Sequence, residues 1–439
     1  MRLTLFVNRS KERPMHSKDD SGTRIQRRTV LKAVGALALA PLAMGFGAKD
    51  VLASPTDAGE KPKLGKSPYN TRLVLLGTTG GMTWWPGSNR ASSSQILLVG
   101  DAMYLVDLGW GSLARLAEGF NHGHFATIDG QRTQLELSSF MSNMRAVFLT
   151  HLHMDHLGDY PTFLEIGARA GYSEKQPLTI IGPGDRGRLD DNRSGYKGTV
   201  IQAQSGNPPL STPTPGTKMM TDLILQAFAQ TFNNCAQDEG YPDIPKNIVI
   251  KEIGDPKTIP WPAGFTPPNP NIPWTSDMTC PAMEPFEIYK DDRLRVTAVL
   301  VDHFTVYPAF AFRFDTADGS LVISGDTGPN TRGNLQKLAK GADVLVHEVI
   351  DDFWVKETYK GVKEGDPLWP LYYHIITAHT SSADVGRVAQ ECGVKTLVLS
   401  HIAPANTPVS RLQQAQKGFS GKLIVGEDLM EVGVGKPKA

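Results

Sequence analysis

The stretch THLHMDHLGDYP, residues 150–161, holds His151, His153 and His156 with Asp155 among them, three of the 11 histidines in a 439-residue chain. A solvated loop gains nothing from such a cluster, and a packed core would have to find a partner for every ring nitrogen. Imidazoles crowded together suit a divalent transition metal, and a carboxylate among them broadens the choice of metal. The cluster supplies two donors to one metal and two to a second, so more His or Asp are required elsewhere. They follow apolar runs: His303 after VTAVLVD, Asp326 in SGDTG after LVI, and His401 after TLVLS. Together these residues offer three His to one metal and two His with two Asp to the other, one Asp being shared.

The apolar runs must be the elements that position them. RAVFLT (145–150) is almost continuously apolar, as in a strand buried on both faces, and delivers the chain directly to His151. TRLVLLG runs into a glycine loop, SQILLVGDAMYLVDLG reads as a hairpin turning at Gly100-Asp101, and LTIIGPG is a further strand. PTFLEIGARAG has helical spacing and stops at Gly171. The second half repeats the style, with strands in LRVTAVLVDHF, PAFAFRFDTADGSLVISGDTG, ADVLVHEVI, TLVLSHIAP and GKLIVGEDLMEVGV. RGNLQKLAKG and SSADVGRVAQECG are the helices between them. Two such halves predict an α/β chain built as a four-layer αββα sandwich, two mixed sheets face to face with helices outside. Residues 190–290 read as an insertion, a cap or lid, because its Pro-rich part cannot be regular core sheet. One helix is expected there, over 221–234, with Leu223, Ile224, Ala227, Phe228 and Thr231 on one face.

Charge and the N-terminus restrict the setting. Lys+Arg and Asp+Glu are 45 each, so nothing global draws the chain to nucleic acid. QRRTVLKAVGALALAPLAMGFGAKDVLAS has Arg27 and Arg28, an apolar run from Ala33 to about Ala48, and small residues at Ala53. The run is too short to span a bilayer and reads as an export signal over 1–53. It resembles a twin-arginine (Tat) signal, which implies the Tat export machinery as a partner and a periplasmic or secreted location. Residues 54–68 then form a linker and 69–439 one domain. Cys235, Cys280 and Cys392 are too few for a disulfide scaffold. Cys392 reads as a small buried residue, and a Cys235–Cys280 pair is left open.

THLHMDH resembles the signature of the metallo-β-lactamase superfamily. SGDT, VHE, AHTSS and SHI resemble the later motifs of its ribonuclease Z-like branch, which also contains phosphodiesterases and a zinc-dependent arylsulfatase type. The resemblance covers about 71–185 and 291–435. It implies two Zn2+, other divalent metals not being excluded: His151, His153 and His303 on the first, Asp155, His156 and His401 on the second, and Asp326 bridging. It further implies a water shared by the metals as nucleophile, oriented by Asp155. His379 would stand near the leaving group as general acid, and Glu348 would orient it by accepting from its second ring nitrogen. His374 is a rival for that role, and His347 a structural or supporting residue. His122 and His124 read as loop residues. GTTGGM lacks the Lys-Ser/Thr of a phosphate-cradling loop and reads as a tight loop beneath the metals. Trp84 and Trp85 after it either stack on a leaving group or pack under the insertion.

The expected substrate is a small anionic ester, a phosphodiester or an aryl sulfate. Nucleic acid is not expected: export separates the protein from tRNA, and no counterpart of a basic, Gly/Pro-rich tRNA-gripping arm is found. The alternatives are a lactonase or β-lactamase attacking a ring carbonyl, and a zinc-binding scaffold without catalysis. Nothing in the sequence decides the oligomeric state.

Overall fold

The computed structural model describes residues 67–438 except 82–83, 121–124, 129–130, 135–138, 174, 199–200, 202–211 and 331. The signal over 1–53, nearly all of the linker, and His122 and His124 lie outside the described residues. In the first half the strands are β1 (Thr71–Gly77), β2 (Ser94–Val99), β3 (Ala102–Val106), a small hairpin of β4 (Phe125–Ile128) and β5 (Gln131–Gln134), β6 (Met144–Phe148), β7 (Leu178–Pro183) and β8 (Ile248–Ile253). The second half adds β9 (Phe286–Lys290), β10 (Leu294–Leu300), β11 (Phe310–Thr316), β12 (Ser320–Ile323), β13 (Val344–Ile350), β14 (Thr396–Ala403), β15 (Lys422–Val425) and β16 (Glu431–Gly433).

They form two seven-stranded mixed sheets, ordered β16-β1-β2-β3-β6-β7-β8 and β15-β14-β13-β12-β11-β10-β9. The αββα sandwich expected from the sequence is therefore present. Alternation along β1 shows why the strands are apolar throughout: Leu73 and Leu75 enter the core between the sheets, while Val74 and Leu76 face the helices outside. Phe148, at the end of β6, joins the sheets through ring contacts to Phe314 at 5.3 Å, Tyr289 at 5.6 Å and Phe312 at 5.8 Å. The segment GKLIVGEDLMEVGV divides between the sheets: β15 pairs with β14, and β16 crosses over to pair with β1. Asp428 ties down the crossing by accepting from Thr78 Oγ1 and the Ala91 amide, each at 2.7 Å.

Residues 190–290 depart from the expectation of an irregular insertion. Ile248–Ile253 pairs in parallel with β7 over its whole length and forms the edge of the first sheet. NIVIKEIG contains no proline; Pro245 and Pro256 flank the strand instead of interrupting its ladder. In place of one helix over 221–234 there are two, Thr217–Ala227 and Ala229–Asp238, breaking at Phe228. Met220, Ile224, Leu225 and Phe232 pack on the outer core of the first sheet, whereas Phe228 is 48% exposed. The packed face is thus shifted from the one periodicity selects, because it is set by contact with the sheet. Cys235 and Cys280 are not bonded to each other: Cys235 donates to Glu165, and Cys280 lies against the Leu300 carbonyl. Cys392 is buried, as expected.

Candidate active site

The histidine cluster begins where β6 ends. The Thr150 amide and hydroxyl each donate to the Asp107 carboxylate at 2.8 Å. His156 Nδ1 donates to the same carboxylate at 2.8 Å. Since the Thr150 hydroxyl gives its hydrogen to Asp107, it accepts from His151 Nδ1, 3.2 Å away. Asp107 therefore sets the tautomer of two histidines, leaving the Nε2 lone pair of each on the other side of its ring. It ends β3 in a left-handed conformation (φ 57°), unusual for a non-glycine residue and compatible with a held functional side chain. Sequence reasoning missed Asp107. The signal was there in LVDLG, an acid at the end of a buried strand, as with the other candidates.

The remaining donors come from the other sheet and the short helix Met154–Leu157, which carries Asp155 and His156. His303 follows β10 and donates from Nδ1 to the Ala378 carbonyl at 2.9 Å, so its Nε2 is also a lone pair. His401 is the extra residue of a β-bulge in β14, for Glu348 pairs with Ser400 and Val349 with Ile402. With φ 45° it turns out of the ladder. Gly80 permits this: a Cβ there would stand 2.3 Å from His401 Nδ1. The neighbouring Gly81 amide donates to Asp155 Oδ2 at 2.9 Å, so residues 77–81 form the tight loop at the site that was expected.

The structure gathers the seven sequence-predicted donors into two groups, His151-His153-His303-Asp326 and Asp155-His156-Asp326-His401. Within each, the donor atoms lie within 4.8 Å of one another, and Asp326 belongs to both. His401 Nε2 is 3.1 Å from Asp155 Oδ2 and 3.2 Å from Asp326 Oδ2. His151 and His303 Nε2 are 3.8 and 3.9 Å from Asp326 Oδ2. His303 Nε2 and His153 Nδ1 are 3.4 Å apart.

These residues fit divalent metal ions. His151 Nε2, His156 Nε2 and Asp326 Oδ1 are buried without a hydrogen-bond partner, although the last two lie only 3.3 Å apart. Burial holds His151 and His303 well below the usual imidazole range, so both are neutral. Burial works to raise Asp326 and Asp155, but His401 and His156 beside them outweigh it and hold both carboxylates below their usual range. Neutral imidazoles and ionised carboxylates are the forms that bind metal. Burial likewise disfavours charge on His156, yet Asp326, Asp107 and Asp155 push its pKa well up, so the local field favours a cation.

Beside the clusters, His379 Nδ1 donates to both oxygens of Glu348, at 2.9 and 3.1 Å. The Thr327 amide holds Glu348 Oε1 at 2.8 Å. Burial lowers the His379 pKa, but Glu348, with help from Asp326 and Asp155, raises it to about 9. Its ring is 5.1 Å from His303 and 5.8 Å from His401, next to both groups. The rival His374 is also close, 5.7 Å from His303 and 5.9 Å from His379. Glu348 pairs with His379, while burial and the His379 charge lower His374 to about 4. His347 is buried in β13, its Nδ1 donating to the Glu348 carbonyl at 2.8 Å. The two tryptophans separate: Trp85 packs inward, donating to the Gly80 carbonyl at 3.1 Å, and Trp84 is 83% exposed with its ring 5.8 Å from Trp110.

The αββα sandwich and the paired donor groups define a metal-dependent hydrolase. No protein-family model matches the chain. It is similar to ribonuclease Z of Mycobacterium bovis (strain BCG / Pasteur 1173P2), 28% identical over 375 residues, which are 82% of this chain and 98% of that protein. The ribonuclease Z of Mycolicibacterium paratuberculosis is 27% identical over 369 residues, 83% of this chain and 99% of that one. Among solved structures, human tRNase Z, short form, overlaps with a TM-score of 0.48 at 18% identity, over 83% of this chain and 99% of that one. In sequence the chain is similar to these ribonucleases Z. Its relatives, named for cutting RNA, overturn the expectation that nucleic acid plays no part. Net charge was the wrong guide, because a sum over the chain says nothing of the field in one cleft.

Proposed function

We propose that the chain is a binuclear metal phosphodiesterase that hydrolyses RNA. The observation that carries the chemistry is the pair of four-donor groups sharing Asp326, with the His379–Glu348 pair beside both. Two divalent metals held there, Zn2+ or another that takes imidazole and carboxylate donors, would supply Lewis-acid activation of the phosphoryl group and of the attacking water. Asp155, steadied by the Gly81 amide, orients the water and accepts its proton. His379 gives a proton to the departing oxygen, and Glu348 fixes its tautomer and favours its charged form. A leaving alkoxide needs that proton, whereas opening a ring carbonyl does not require this pair, which favours an ester over a lactone or lactam. The ribonuclease names of relatives matched over nearly their full length support RNA as the ester. The N-terminal signal, acting through the Tat machinery, would carry this activity to the periplasm or beyond; fractionation of cells expressing the full chain tests that.

The test is steady-state hydrolysis by metal-loaded protein of single-stranded and structured RNA, bis-p-nitrophenyl phosphate, p-nitrophenyl sulfate, a lactone and a β-lactam. RNA and the phosphodiester should be cut, with Asp155→Ala inactive. Cleavage of p-nitrophenyl sulfate but neither phosphodiester would replace the proposal with an arylsulfatase, and opening of only the lactone or lactam with a carbonyl hydrolase.

A further inference from the structure

Arg186 stands three residues beyond β7, at the same sheet end as His151 and one strand along from β6. Sites in α/β folds collect at that end. Its side chain is only 11% exposed, with the guanidinium 4.4 Å from the ring centre of the buried Trp274. Such a contact fixes a cation in place. Nη2 donates to Asp190 Oδ1 at 2.9 Å, whereas Nε is buried with no hydrogen-bond partner. A cleft of about 260 Å³ joins this group to the site, its walls including His153, Val306, Tyr307, Arg186 and Asp190.

A buried, unpartnered N–H is a standing penalty, which a ligand oxygen removes. The Nε–Nη2 edge of a guanidinium is a fork matched to two oxygens of one phosphate. Here one tine is unpartnered and the other rests on a carboxylate that is 52% exposed, a surface pair that yields at little cost. We infer that Arg186 is an anion subsite of the substrate cleft, taking the phosphate next to the one that is cut and releasing Asp190 as it does so. This rests on the RNA reading above, since a substrate needs a second phosphate to use it. Arg193 reaches the same tryptophan, donating from Nη2 to the Trp274 carbonyl at 3.3 Å, with its guanidinium 4.9 Å from the ring of Phe304, the residue after His303. It adds positive charge on the same side of the site.

The experiment uses the full chain and Arg186→Met, Arg186→Lys and Asp190→Asn. Binding of a fluorescein-labelled RNA pentanucleotide is read by anisotropy in chelator, so that it does not depend on turnover. Arg186→Met should raise Kd about tenfold and Arg186→Lys less, because the lysine keeps the charge and loses the fork. Asp190→Asn should lower Kd about threefold, since it removes the competing charge. With metal present, the ratio of KM for the pentanucleotide to KM for bis-p-nitrophenyl phosphate, which has no second phosphate, should rise in Arg186→Met. An unchanged Kd in Arg186→Met overturns the subsite. So does a Kd that rises in Asp190→Asn as it does in Arg186→Met, the mark of a structural ion pair. If loss of the Trp274 contact unfolds Arg186→Met, the lysine and asparagine variants carry the same opposition. Failure of the metal-loaded protein to cut any phosphodiester sinks the RNA reading, while binding in chelator still decides the subsite.

Discussion

Gly80→Ala separates steric positioning of a metal donor from backbone strain. Gly80 is not among the residues at positive φ, so alanine meets no conformational penalty there. The added Cβ would lie 2.3 Å from His401 Nδ1, 2.4 Å from Cε1 and 2.8 Å from the His401 carbonyl oxygen. Relief to ordinary contact needs a shift of about 1 Å, comparable to misplacements that cost about 10²-fold in rate. His401 has little freedom to give, being held in a bulge with φ 45°. Its Nε2 is 3.1 Å from Asp155 and 3.2 Å from Asp326, so the Asp155-His156-Asp326-His401 group loses its geometry while the other group keeps its three histidines. The control is Gly87→Ala in the same loop, where φ is 76° and no atom lies within 4 Å of the new Cβ. It should lose about 1 kcal/mol of stability by strain alone and bind metal normally. Metal content by elemental analysis after dialysis, with kcat on bis-p-nitrophenyl phosphate, reads both. Gly80→Ala should retain about half the metal that the wild type retains, and lose about 10²-fold in kcat. Two metals retained with kcat within about threefold would refute the steric argument and the place of His401 in the site.

Asp107→Asn should weaken metal binding by about 10- to 100-fold in competition with a chelator, because it removes the carboxylate that sets His156 directly and His151 through Thr150. Glu348→Gln should leave metal content intact and lower kcat by about 10²-fold. It should also move the alkaline limb of the pH profile to lower pH: Glu348 raises the His379 pKa towards 9, and the acid is lost as pH rises through that value. A limb that does not move excludes His379 as the acid. Phe148→Ala should cost about 3–5 kcal/mol in denaturant unfolding, since the ring is fully buried between the sheets.

The donors were legible because metal binding demands particular residue types, and a buried strand leaves an unmistakable apolar run before each. His151, His303, Asp326 and His401 could therefore be found one at a time, and the pairing of Glu348 with His379 followed from the resemblance. Asp107 carried the same signal, an acid after a buried strand, but its role as a support for two histidines exists only once β3 lies beside β6 and its carboxylate faces Thr150 and His156. Periodicity placed a helix near 221–234, but the sheet beneath chose the buried face and the break at Phe228. Proline content concealed β8, since composition averages over a segment while a ladder needs only six proline-free residues.

Local chemistry in the sequence determined which side chains could hold metal, and the order of apolar runs determined two mixed sheets with helices outside. Tertiary structure alone decided how those side chains meet. It made Asp326 common to both groups, turned His401 inward through a bulge that only Gly80 leaves room for, and left Arg186 on Trp274 with a buried, unpartnered Nε at the end of the cleft. These are distances of a few ångströms between residues remote in the chain, and they are fixed only when the two sheets pack.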